Sequence, residues 1–204
     1  ARLNKAAAEA VRKLLPASAK GDLGILCPWP DQIRMRYPWS SALHYVNTPD
    51  NLCSYKYKRD CKDTNGATGR CVTGAIKNYT SILMNYKKPR SNLTEALLFL
   101  SHFMGDVHQV WDSSIIAKAE GGSNPSNLDK FIKNIQHKIQ SIKAACQWAY
   151  KGASSGSTLK GFFRSCRIDI LDYYATRLPI VELRLAQAGV RLAATLNRIF
   201  GHLH

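Results

Sequence analysis

The sequence predicts a mainly α protein folded as one domain. Three observations carry this: apolar residues recur every three or four positions in several long stretches, no run of alternating strands is credible, and 204 residues with 45% hydrophobic content suffice for one sizeable core. The whole chain, 1–204, is therefore read as a single domain without internal repeats.

Residues 2–15 carry alanines and leucines at helical spacing and stop at Pro16, which cannot continue a helix. The pattern is that of a first helix missing its upstream start. From Gly21 to about Gly74 the chain is rich in Pro, Tyr, Asn and Asp, with TPDN at 48–51 and TNG at 64–66 as turns, so this stretch is expected to be mostly loop. Cys61 and Cys71 flank the second turn; a bridge between them would clamp a short loop, with Cα atoms within about 7 Å. Cys53 is assigned to Cys146. Residues 72–86 and 94–112 read as core helices, the second opened by Thr94 and Glu95 and filled by Leu97, Leu98, Leu100, Phe103 and Met104. A loop over 121–127 then precedes a helix over 128–150, where Phe131, Ile132, Ile135, Ile139 and Ile142 recur at helical intervals. The last helix is expected over roughly 178–200, with Leu185, Ala188, Leu192, Leu196 and Ile199 on its apolar stripe and Arg184, Arg191 and Arg198 on another face.

Charge narrows the partners. With 29 Lys and Arg against 14 Asp and Glu, the net charge of +15 favours a polyanion, either nucleic acid or an anionic membrane surface. The six cysteines show no CxxC spacing of a zinc ribbon, so disulfides are the stronger reading. Sequons at Asn78-Tyr79-Thr80 and Asn92-Leu93-Thr94 point to the same oxidising compartment, whereas Asn124-Pro125-Ser126 is blocked by its proline. No signal-like opening is present, and no apolar run reaches the ~18 residues of a membrane span. The expected setting is secreted or vacuolar, and the expected state a monomer.

The chemistry concentrates in Leu100-Ser-His-Phe-Met-Gly-Asp-Val-His-Gln109, where His102 and Asp106, four apart, lie within about 40° on one helical face and can grip one ion. A helix that serves the core would lose stability by burying these groups unless they were paired or coordinated. Upstream, Cys27-Pro-Trp-Pro-Asp-Gln-Ile-Arg34 and Ser41-Ala-Leu-His-Tyr-Val-Asn-Thr-Pro49 add Asp31, Arg34 and His44 in an aromatic-rich stretch.

Through these blocks in order, then CSYKYKRDC, CVTGAIKNYT, NLTEALLFLSHFMGDVHQ, VWD, IKAACQWAY and RLPIVELRLAQAGVRLAATLNRIF, the chain resembles the secreted zinc-dependent single-strand nucleases of plants and fungi, of nuclease S-one and nuclease P-one type. The resemblance covers most of the chain. It implies a helical fold similar to that of the trinuclear-zinc phospholipase C and nuclease P-one, with long disulfide-bonded loops, glycosylation and up to three zinc ions. It implies hydrolysis of single-stranded DNA and RNA to nucleoside 5′-phosphates, with 3′-nucleotidase action on nucleotides. Carried over by position, Asp31, His44, His102 and Asp106 form one complete zinc site, with Asp106 also bridging to a second ion. Asp31 and Arg34 are the catalytic candidates, Arg34 neutralising charge on the phosphate; Tyr45 would stack a base, and Asn47 stands near the base pocket where the family usually has Asp.

The chain departs from the family in three places. It lacks the opening Trp and the His that follows it, so one site loses two ligands. Gln109 joins Val110-Trp111-Asp112 directly, without the intervening segment that carries further ligands. Asp112 matches a surviving carboxylate of that site, and His108 stands four residues before it, so both are kept as metal candidates. On one unbroken helix, however, the six residues from His102 to His108 rotate about 240° net and turn His108 away. Finally, residues 160–171 have no family counterpart. Cys166 falls there, and the family partner of the residue matching Cys27 is absent, so neither thiol has an expected partner.

The expectation is a truncated nuclease with impaired activity. Two alternatives stay open. One is an inactive form that binds nucleic acid through Lys56, Lys58, Arg59, Lys62, Lys77, Lys87, Lys88 and Arg90, interleaved with Tyr55, Tyr57 and Tyr86. The other is a basic helical protein acting at membranes through its arginine-bearing last helix.

Overall fold

A computed structural model describes residues 2–46, 48–49, 55–85, 90–108 and 167–201. The first helix, α1 (Lys5–Leu14), begins where Asn4 supplies a cap: its side-chain oxygen accepts from the Ala7 N–H at 2.8 Å, satisfying one of the donors a helix start leaves open. Ala7, Val11 and Leu15 form its buried stripe. Pro16 ends it as the sequence requires.

The stretch expected to be mostly loop contains more turn structure than that. Two single-turn helices, α2 (Trp29–Gln32) and α3 (Tyr57–Asp60), stand among 3₁₀ turns at Ala17–Ala19, Gly24–Leu26 and Pro38–Leu43. Pro30 and Pro38 sit at the start of their turns, where a fixed φ favours helix and the missing N–H costs nothing. One-turn helices carry no periodicity, so a pattern of apolar spacing does not find them. Cys61 and Cys71 are bridged, their Cα atoms 5.0 Å apart. Between them an isolated pairing of Lys62 with Thr68 closes the turn through Gly66, whose φ of 81° suits glycine.

The bridge leads into α4 (Val72–Met84), which packs along α5 (Arg90–Asp106). Gly74 lets the disulfide-held turn lie against α4: a Cβ there would fall 1.9 Å from the Gly69 carbonyl oxygen. The start of α5 lies ahead of Thr94, the expected cap. Thr94 instead donates its hydroxyl to the Leu14 carbonyl at 2.6 Å, tying α5 to the end of α1. The helix also stops at Asp106 rather than at 112, giving way to a turn through Val107 and His108.

Phe99, Phe103, Leu97 and Leu100 from α5 meet Ile76 and Leu83 from α4 and Leu196 and Phe200 from the last helix in one core. Tyr79 stacks on Phe99 at 4.8 Å and Phe99 on Phe103 at 5.4 Å. Each large side chain so buried stabilises the fold by about 1.5–3 kcal/mol.

The last helix, α6 (Arg167–Phe200), begins well before the expected 178 and runs through Pro179, so part of the segment without family counterpart enters it. Its inner face also differs from expectation. Arg184 is turned inward at 5% exposure while Leu185, expected in the apolar stripe, is 65% exposed. Arg184 donates to Gln187 Oε1 at 2.9 Å. Ala188, Leu196 and Ile199 are buried as expected. Asn197 clasps the two ends of the fold, accepting from the Asn4 N–H at 2.8 Å and donating to the Arg2 carbonyl at 2.9 Å.

The architecture is thus mainly α, with no strand among the described residues. No helix of the described residues is long and apolar enough to cross a membrane. Asn47, Cys53, Asp112, Cys146, Cys166, the loop 121–127 and the helix 128–150 lie outside the described residues.

Candidate metal centre

Four side chains from three parts of the chain converge beside α5. Asp31 comes from α2, His44 from the end of the 3₁₀ turn Pro38–Leu43, and His102 and Asp106 from adjacent turns of α5. The pair on α5 meets as a four-residue spacing requires, His102 Nε2 lying 3.2 Å from Asp106 Oδ2. His44 Nδ1 is 3.0 Å from the same oxygen and 3.1 Å from His102 Nε2. Asp31 closes the cluster, its two oxygens 3.5 Å from His44 Nδ1 and from His102 Nε2.

These spacings fit a coordinated ion. Zinc bonds of about 2.0–2.1 Å in a tetrahedron set the donor atoms about 3.4 Å apart, close to the spacing among Asp31, His44 and His102, whose ligand atoms all lie within 4.8 Å of one another, while Asp106 sets an oxygen beside both imidazoles. Hydrogen-bonding chemistry points the same way. His102 Nδ1 lies 2.7 Å from the Cys27 carbonyl oxygen, which can only accept; Nδ1 therefore holds the hydrogen, and the neutral ring turns the Nε2 lone pair toward the cluster. A backbone carbonyl orienting a ligand imidazole was not legible in the sequence, because a main-chain oxygen carries no residue signature. The His44 ring packs edge-on to Phe103 at 5.0 Å, and its Nε2 is buried without a hydrogen-bond partner, leaving Nδ1 as the working atom.

The electrostatics are those of a tight cluster. Burial pushes His102 down, but the hydrogen bond and charge of Asp106, with help from the Cys27 carbonyl and Asp31, outweigh it and leave its pKa raised. Burial likewise acts to raise Asp106, and its hydrogen bonds to His102 and His44 prevail, holding it below the usual carboxylate range. Asp31 is exposed and forms the open side of the cluster. There Arg34 Nη1 approaches Asp31 Oδ1 at 3.5 Å, placing a cation at the edge where a bound anion would arrive.

The remaining candidates are placed differently. Tyr45 is partly buried beside the cluster's His44, and its carbonyl accepts from the Val72 N–H. His108 does not join the four. It is buried behind α5, with Nδ1 against the Met104 carbonyl at 2.6 Å and Nε2 against Arg191, so both ring nitrogens are engaged. Tyr55, expected among the stacking residues, is buried with its hydroxyl 2.6 Å from Thr73 Oγ1. Tyr57, Lys56, Lys58 and Lys77 are exposed, as are Asn78 and Asn92. Cys27 is a free thiol whose pKa is raised by burial.

Comparison with known proteins adds the following. The family model described as S1/P1 Nuclease matches residues 1–109 and 107–201, the two matches overlapping over residues 107–109 beside the junction of Gln109 with Val110. Endonuclease 2 of Arabidopsis thaliana is 44% identical, over 98% of this chain and 86% of the relative. Endonuclease 1 of the same plant is 40% identical over 97% and 81%, and Nuclease P1 of Penicillium citrinum 26% identical over 96% and 91%.

Proposed function

The chain belongs to the S1/P1 nuclease family, a family of nucleic-acid hydrolases, and from that premise we propose that it is a zinc-dependent phosphodiesterase. Its substrates are single-stranded DNA and RNA, cleaved to nucleoside 5′-phosphates, with 3′-nucleotidase action on nucleotides. The observation that carries the proposal is the convergence of Asp31, His44 and His102, whose ligand atoms all lie within 4.8 Å of one another, with Asp106 at 3.0 and 3.2 Å from the two imidazoles.

Asp31, His44, His102 and Asp106 would hold the ion. Bound there, zinc would supply Lewis-acid polarisation of a phosphoryl oxygen and acidification of a water at mild pH. The protein supplies the rest. The Cys27 carbonyl fixes the His102 tautomer, so that its lone pair faces the site without rearrangement. Asp106, buried, sets its Oδ2 within 3.0 and 3.2 Å of the two imidazoles and keeps that acceptor oxygen in place. Arg34 at the exposed edge binds and orients the scissile phosphate and offsets charge that grows on it during attack. Tyr45, next to a ligand, supports the base.

Activity is expected to be limited. The single complete donor set, the engaged His108 and the direct join of Gln109 to Val110 all favour one firmly held ion over a cluster. The Cys61–Cys71 bridge and exposed Asn78 and Asn92 support a secretory route with glycosylation at both sequons. The same engagement of His108 favours, as a second reading, a form that binds nucleic acid and cuts it slowly or not at all.

The test is zinc content of the purified, folded chain, then hydrolysis of single-stranded DNA with and without chelator. About one zinc per chain and chelator-sensitive cleavage are expected. Folded protein that takes up no zinc would overturn the proposal; zinc without cleavage would select the second reading.

A further inference from the structure

The run Arg34-Met-Arg-Tyr-Pro-Trp39 leaves the metal centre in an unusual state for a chain segment next to a core. Every residue of it is exposed, and Met35, Tyr37 and Trp39 reach 92%, 38% and 42% exposure. Tyr37 and Trp39 are neighbours, their ring centroids 5.8 Å apart and tilted by 55°. Trp39 is held from below by Phe99 at 5.9 Å, so it is a rigid platform and not a loose side chain. Arg70 borders it: its guanidinium carbon lies 6.0 Å from the Trp39 ring, and its Nη2 donates to the Trp39 carbonyl at 2.9 Å. Past Trp39 a groove of about 510 Å³ opens, lined also by Tyr57, Arg70 and Lys77. Arg34 begins this strip in contact with Asp31, one of the four clustered donors.

Exposed aromatic rings held by the core, with cations at intervals on one side, are the arrangement that suits an unpaired nucleic acid strand: every base has a face that stacks, and every phosphate a charge to be met. Duplex DNA keeps its bases inside and cannot use such rings. We propose that Tyr37 and Trp39 form a subsite for nucleotides beyond the two that flank the cleaved bond, with bases on the two rings and phosphates near Arg36 and Arg70. This rests on the nuclease reading and deepens it. The strip makes strand length, and not only the cleaved linkage, a determinant of affinity, and it gives preference for single strands a structural origin outside the metal centre. The alternative for exposed Met35, Tyr37 and Trp39 beside arginines is insertion into an anionic membrane surface, which competes for the same residues.

The experiment uses the full chain loaded with zinc and carrying Asn78→Gln, because Asn78 also lines the groove and an attached sugar would share it. Tyr37→Ala and Arg36→Gln are compared with that background on a twelve-residue oligothymidylate and on a thymidine dinucleotide. Tyr37→Ala should raise the dissociation constant for the long strand about tenfold, the loss of one stacked base. Arg36→Gln should reduce the salt slope of binding by about 0.7, one phosphate contact on a single strand. Neither should change hydrolysis of the dinucleotide by more than about twofold. Should Tyr37→Ala unfold the chain, Tyr37→Leu tests the same ring at similar bulk. Unchanged long-strand affinity and salt slope, equal losses on both substrates, or tighter binding to phosphatidylserine vesicles than to the strand at matched salt would each overturn the subsite. Failure of the nuclease reading looks different: the background protein would then cleave neither substrate, while the binding arms still report on the strip.

Discussion

His102 Nε2 lies within 3.5 Å of donor atoms from Asp31, His44 and Asp106, and its other nitrogen is committed to the Cys27 carbonyl. Removing that ring takes away the best oriented donor of the set. His102→Ala should weaken zinc binding at least about 100-fold, beyond what loss of an orienting partner alone costs, and competition with a chromophoric chelator will measure it. Acid works through the same ring. Because the His102 pKa is raised, it competes with the metal for the lone pair from above the ordinary imidazole range. In the metal-free protein its contribution to stability is full below the unfolded value of about 6.5 and fades as pH rises through the folded pKa. Asp106, lowered, contributes above its unfolded value near 4 and loses that on acidification through its folded pKa. Without metal the pair therefore stabilises most between about pH 4 and 6.5, while zinc stabilises most above it. Thermal melts with and without chelator should show a gap that widens from pH 5 to pH 8; a constant gap would mean that these groups do not hold the ion.

At the scale of elements, the Cys61–Cys71 bridge holds the turn whose Gly69 carbonyl receives α4 at Gly74. The bridge closes a loop of sequence separation 10, so Cys61→Ser with Cys71→Ser should cost about 2–3 kcal/mol in chemical denaturation by loss of the constraint on the unfolded chain. Leu185 and Leu196 on α6 give a sharper contrast. A leucine in an apolar stripe would cost 2–5 kcal/mol when truncated in a core, yet Leu185 is mostly exposed. Leu185→Lys should therefore change stability by no more than about 0.5 kcal/mol, whereas Leu196→Ala, fully buried on the same helix, should cost about 2–5 kcal/mol. Equal effects at the two positions would show that the helix is rotated relative to this description.

For the whole molecule, hydrolysis of a phosphodiester needs charge stabilised on the attacked phosphate and on the departing oxygen, and neighbouring ions divide that work. On the proposed reading, one complete donor set leaves part of it undone. Inserting between Gln109 and Val110 the segment that a family relative carries at that point should raise turnover on single-stranded DNA at least about 100-fold, equal to about 2.7 kcal/mol. No gain in a folded, zinc-loaded chimera would mean that the join is not what limits activity.

Much of this protein was legible in its residues. Helical spacing places α1 and α4 near their observed bounds and finds α5, though not its ends, because amphipathic periods survive folding. Order of motifs identifies the family, and the four-residue step from His102 to Asp106 puts both on one face whatever surrounds the helix. The tertiary structure decided the rest. Asp31 and His44 lie far from α5 in sequence, and only the packing of α2 on α5 and of the Pro38–Leu43 turn on α4 brings their donors within reach. The exit of α5 at Asp106 frees the chain to turn His108 behind the helix against Met104 and Arg191, a contact across 83 positions that no local pattern encodes. Likewise the choice of Arg184 over Leu185 for the inside of α6 belongs to its neighbours, since positions one step apart differ by only about 100° and packing settles which of them faces in. Local chemistry fixes what lies on one turn of helix; which turns meet is fixed by how distant apolar faces share one core.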